Sequence, residues 1–141
     1  MDSSQLLYPV IVLVTLTFAV AIRLLRLNIS AYAKGDVAGG YFKVYQGEAP
    51  EYLLAARDHY KNLFELPVLF YLLMVLLIYT GFDTVDIWLA WGFVLLRCVH
   101  SYIRWTSNFV PYRYRIFVAG GTVLLSGWVK FILHILLSNP G

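Results

Sequence analysis

Uncharged, apolar runs divide the chain into four segments. Ser3 to Ile22 is twenty residues without a formal charge, and Leu66 to Phe82 is seventeen. Ile87 to Leu96 is ten. Ile116 to Val129 is fourteen, followed by Lys130 and a further apolar run to Ser138. About twenty apolar residues cross a bilayer as a helix, so the first segment has the length of one crossing. It lacks a basic flank before it and a small-residue cleavage site after it. It therefore reads as a retained helix rather than a cleaved signal. Ten uncharged residues rising 1.5 Å each fall far short of about 30 Å of hydrocarbon. A crossing by the third segment must take Arg97, His100 and Arg104 into the membrane zone. The second reaches full length if it begins near Arg57, which places Asn62 and Glu65 inside.

Boundary residues complete the pattern. Gly81, Asp83 and Thr84 form a short turn, and Asp83 with Asp86 suits a helix start. Pro111 suits the first turn of a last helix. The pattern predicts one all-α, integral membrane four-helix bundle over residues 1–141. Its helices lie at about 5–28, 56–81, 84–108 and 111–138. The connection over about 29–55 mixes five aromatics with glycines and charges and reads as an interfacial loop.

Composition supports the same class. Hydrophobic residues make up 60% and charged ones 13%, and mean hydropathy is +0.70. Soluble domains carry about 25% charged residues, so an ordinary soluble enzyme, a disordered chain and a disulfide scaffold are excluded. The single cysteine, Cys98, permits no intrachain disulfide. The net charge of +3 does not point to nucleic acid, because the cations flank or enter apolar segments and form no basic run. Arg23, Arg26, Lys34, Lys43, Arg57, Lys61, Arg104, Arg113 and Arg115 lie on one side, and Lys130 lies on the other. The positive-inside rule then puts both termini outside and the loops at about 29–55 and 105–112 in the cytoplasm.

With this topology the polar groups converge in one half of the bundle. Asp58, Asn62 and Glu65 are spaced i, i+4, i+7 and share a stripe on the second helix. Arg97, His100, Ser101, Arg104 and Asn108 share one on the third. Arg113 enters with the fourth helix, and Arg23 and Arg26 leave with the first. A Glu65–Arg97 pair completed by Asn62 and His100 could simply hold helices together. The cations outnumber the carboxylates, however, and an excess of buried cation needs an anion. The stripes therefore also suit a cationic pocket for an anionic ligand. Lys130 reads as snorkelling outward, and His134 as interfacial. Cys98 lies about 100° from Arg97 on the helix and reads as packing. His59 and His100 raise a bis-histidine haem site, but His59 sits at the helix entrance and off the stripe.

The run Arg57-Asp-His-Tyr-Lys-Asn62-Leu-Phe-Glu65-Leu-Pro67 resembles the second-helix signature of the MAPEG family, the membrane-associated proteins in eicosanoid and glutathione metabolism. The run Arg97-Cys-Val-His100-Ser-Tyr-Ile-Arg104, with Pro111-Tyr-Arg113, is similar to the segment joining that family's third and fourth helices. The resemblance covers nearly the whole chain. It implies a homotrimer of four-helix subunits that binds glutathione between subunits. It also implies an activity: a glutathione-dependent transferase or peroxidase acting on lipophilic electrophiles, with an arginine-stabilised thiolate. Asn62, Glu65, Arg97 and His100 would then bind glutathione, with Glu65 on its ammonium. Arg26 is a further binding candidate at the same face. Arg113 stands at the family's thiol-activating arginine. Arg104 stands where eicosanoid-forming members have a glutathione-contacting tyrosine, and is a second catalytic candidate. Asp58 replaces an arginine of those enzymes and Tyr114 follows Arg113 where one branch has serine, so the chain is closer to bacterial members and a bacterial inner membrane is expected. The rival reading is a non-enzymatic protein of the same fold that binds lipid or an anionic metabolite, or supports a partner protein.

Overall fold

The computed structural model describes residues 2–138. They form six helical segments: α1 (Ser4–Lys34), α2 (Tyr41–Val44), α3 (Glu51–Asn62), α4 (Leu66–Thr80), α5 (Thr84–Trp105) and α6 (Val110–Ser138). Among the described residues there is no strand. Three stretches are long and apolar enough to cross a membrane: Ser4–Lys34, Glu51–Thr80 and Val110–Ser138. Of their most apolar windows, only 11%, 33% and 17% is buried inside the chain. The rest of that apolar surface faces outward, so its solvent is hydrocarbon rather than water. The protein is an integral membrane protein.

α5 packs most extensively on α6 and also touches α1 and α3. α4 touches α6 and α1. The core between them holds Leu6 and Leu13 of α1, Phe70, Leu73 and Leu77 of α4, Phe93 and Val94 of α5 and Leu124 of α6. Phe70 and Phe93 stack with ring centroids 5.0 Å apart. Small residues bring the helices together. A methyl at Gly127 would stand 3.0 Å from Leu73 Cδ2, so α6 packs closely on α4 there and a larger residue would have to displace the leucine.

The ends differ from the sequence expectation in three places. α1 runs on to Lys34, past the expected end near residue 28, and is closed by Gly35 at φ 76°. A satellite core of Ala31, Val37, Tyr41 and Leu53 holds this extension, with α2 inside the expected loop and α3 starting at Glu51. The helix expected over 56–81 is interrupted at Leu63–Glu65. Pro67 lies in the first turn of α4. Its ring would clash with the Leu63 carbonyl in a continuous helix, and it disfavours helical geometry at Leu66. Lastly, α5 stops at Trp105 rather than near 108, and Asn108 adopts a left-handed conformation, φ 48°.

At the opposite end of the molecule, the turn before α5 is closed by a capping box. Asp83 accepts from the backbone N–H groups of Val85 (2.8 Å) and Asp86 (3.2 Å), and Asp86 accepts from that of Asp83 (2.9 Å). Lys130 does not snorkel outward. Its ammonium lies 2.8 Å from both carboxylate oxygens of Asp86 and 3.0 Å from Asp83. Asp86 is buried, and the pairing compensates its charge better than solvent at the rim could reach it.

Candidate functional site

The C-terminal half of α5 carries the buried polar groups. Arg97, His100 and Ser101 are 2%, 4% and 2% exposed. They share one face because 3- and 4-residue spacings stack on an uninterrupted helix. Arg97 is enclosed by rings: its guanidinium carbon lies 5.4 Å from the Phe93 centroid and 5.0 Å from that of Phe117 on α6. None of its three side-chain nitrogens has a hydrogen-bond partner within the chain. His100 leans on the same Phe117 ring, centroids 5.7 Å apart. Phe117 follows Arg113 by one helical turn, so α6 presents both to this face of α5. Phe117 was not singled out in the sequence because an aromatic on an apolar helix carries no signal of its own.

Arg113 sits in the first turn of α6. Its Nη1 donates to Asn108 Oδ1 at 2.6 Å. Asn108 is thus an anchor for Arg113 in the α5–α6 connection, and not the last member of the α5 stripe. Arg104 Nη1 makes a long contact, 3.5 Å, with the Ala55 carbonyl of α3, and its Nε is buried without a partner. Arg97, Arg104 and Arg113 all lie within electrostatic reach of His100.

His59, expected at the helix entrance and off the stripe, is instead enclosed. It is 0% exposed, and neither ring nitrogen has a partner. It faces inward from α3, within reach of Arg104, Arg23 and His100. Its signal was faint, one histidine a turn before Asn62, and α3's rotation decides which of the two turns inward. Among the described residues no group of three or more His, Cys, Asp or Glu side chains could hold a metal ion.

The second-helix candidates lie at the outer edge of this cluster. Glu65 is exposed and Asn62 half-buried. The stripe expected to join Asp58, Asn62 and Glu65 is cut by the interruption after Asn62, and Glu65 becomes the residue preceding α4. No Glu65–Arg97 ion pair forms: the ion pairs among the described residues are those of Lys130. Arg26 is exposed on α1, whereas Arg23 turns inward and stacks over Trp105, 5.0 Å from the ring centroid. Cys98 is half-buried and unpaired.

The arrangement is therefore a cation-rich half-bundle whose one fully buried guanidinium has aromatic walls and no hydrogen-bonded or ion-paired partner among the described residues. Leaving such a charge unpaired costs several kcal/mol. The residues present fit a small anionic ligand. The two nearby carboxylates, Asp58 and Glu65, are exposed; they lie within charge range of the arginines but form no ion pair with them.

Fold and site together define an all-helical membrane protein with a buried cationic cluster at one end. The MAPEG family model matches residues 6–133, nearly the whole chain, and the protein belongs to the MAPEG family. No curated protein and no solved structure matches it.

Proposed function

We propose that the protein is a glutathione-dependent transferase or peroxidase acting on lipophilic electrophiles dissolved in the bilayer. The observation that carries this reading is Arg97, buried to 2% with three unpartnered nitrogens, beside Arg104 and Arg113 in a chain of this family. Arg97 would bind a carboxylate, since a planar guanidinium offers paired donors to one. His100 and Asn62 would add hydrogen bonds. Glu65 and Arg26 are exposed in the single chain, which suits contributions at a boundary between subunits, one of them to the peptide's ammonium. The reading takes the protein as a homotrimer, with α5 as a fourth crossing and the loop end of the bundle in the cytoplasm of a bacterial inner membrane.

Glutathione supplies a thiol that attacks as its thiolate. Arg113 is the group that would hold negative charge on sulfur. Asn108 orients its guanidinium, and the first turn of α6 adds the partial positive charge of a helix N-terminus. A free thiol ionises near pH 8.5, and a neighbouring cation in a water-poor site lowers that value. Arg104 is the second candidate for the sulfur contact.

The test uses the detergent-solubilised protein, glutathione and a generic electrophile. Arg113→Ala should bind glutathione only modestly less well yet lose most thiolate absorbance and turnover, and Arg113→Lys should fall between. Equal damage from Arg104→Ala would assign the sulfur contact to both arginines. A wild-type protein that neither binds glutathione at millimolar concentration nor turns over an electrophile would sink the enzyme reading and leave the cluster to another anion.

A further inference from the structure

A second cationic cavity lies apart from the Arg97 cluster, between α1, the end of α2 and the C-terminal half of α3. It encloses about 490 Å³ and is walled by Leu24, Val44, Tyr45, Arg57 and Lys61 among others. None of its lining residues is acidic. Arg57 is held in place rather than free in solvent. Its Nη1 donates to the Tyr41 hydroxyl and to the Tyr45 carbonyl, each at 3.2 Å. Its guanidinium lies 5.7 Å from the Tyr45 ring centroid. Tyr41 is itself 4% exposed in the satellite core, so the anchor is part of the folded structure. Arg57 Nε is buried and has no partner. Leu24, just past the first apolar segment, and Val44, 64% exposed, give it an apolar wall, and Gln46 and Tyr60 complete the lining. The cavity thus sits at the edge of the apolar layer, with two cations beside apolar surface.

We propose that this cavity binds an anionic phospholipid, with Arg57 and Lys61 on the headgroup phosphate and an acyl chain along Leu24 and Val44. A prepositioned guanidinium matches phosphate oxygens. A free phosphate would use the same cations but gain nothing from the apolar wall. The sequence reading saw only an interfacial loop here, because the cavity exists only once α2 folds against α3.

The experiment is native mass spectrometry of the full chain released from vesicles of equal phosphatidylglycerol and phosphatidylcholine, read as lipid retained per protein. Phosphatidylglycerol should be retained preferentially. Lys61→Gln should lower its retention about fivefold, the effect of one cation at a membrane surface. Arg57→Gln should lower it at least as much. Because Arg57 also anchors α2, Lys61→Gln is the variant that separates binding from folding. Lys43→Gln, on the same loop but outside the cavity, should leave retention unchanged. Equal losses for Lys43→Gln and Lys61→Gln would reduce the effect to surface charge and overturn the site. So would equal retention of phosphatidylcholine. Displacement of the lipid by millimolar inorganic phosphate or by glutathione would assign the cavity to a free anion instead. None of these readouts depends on catalytic turnover.

Discussion

Replacing Arg97 with methionine should stabilise the ligand-free protein while weakening its hold on an anion. The guanidinium is 2% exposed and three of its nitrogens lack partners. Burying an ion costs several kcal/mol after relaxation. The two aromatic faces, at 5.4 and 5.0 Å, return about 2 kcal/mol each when desolvated. Methionine keeps the apolar stem and removes the charge. The balance favours the variant by about 1–4 kcal/mol, the range found when buried ionic groups give way to apolar ones of similar size. Thermal unfolding in detergent, without added thiol, should therefore show a midpoint raised by several degrees. Glutathione affinity should fall roughly tenfold or more, the loss of a hydrogen bond to a charged group worth about 1.5–3 kcal/mol. A variant less stable than wild type in the absence of any anion would refute the reasoning, since it would mean that Arg97 is already paired in the membrane.

Two further outcomes follow from the opposite end of the bundle. Lys130→Met leaves Asp86 buried without its ammonium and should destabilise by about 1–3 kcal/mol, less than a fully buried pair because the lysine is one-third exposed; Asp86→Asn in the same chain should recover part of the loss, and strictly additive effects in the double-mutant cycle would count against the pair. The hydrogen bond from Lys130, foremost, holds the Asp83 carboxyl below its usual range; its contribution is complete above about pH 4 and is lost as pH falls through the lower folded value, so amide protection factors at the start of α5, corrected for intrinsic exchange, should fall on acidification, and protection that rose there would contradict the assignment.

How far the sequence could be read depended on whether a helix continued. Arg97, His100 and Ser101 fall on a single buried face because α5 runs unbroken through them, and spacing alone suffices for that. Asp58, Asn62 and Glu65 have an equally regular spacing, but Pro67 breaks the helix between the second and third of them. The proline was visible; its effect three residues upstream was not weighed against the stripe. Phe117, the ring shared by Arg97 and His100, was hidden among other apolar residues, because which face of α6 meets α5 is a packing outcome. Lys130 likewise looked like a rim cation until α6 brought it across to the first turn of α5. The family resemblance, carried by short motifs at helix ends, spans a match that extends over residues 6–133.

The interruption at Leu63–Glu65 also puts a joint inside the stretch Glu51–Thr80 that is long enough to cross the bilayer. α4 has 15 residues, about 22 Å of helix, against about 30 Å of hydrocarbon. Beyond it stands Glu65, exposed on the outer surface of the chain. A lone copy therefore presents a polar joint to lipid on that flank. The lipid beside it must thin locally for the joint to reach water. A neighbouring protein surface laid over the joint removes that deformation. Bilayer thickness thereby becomes a lever on self-association: thicker membranes should favour copies held together, and thinner ones should tolerate copies apart.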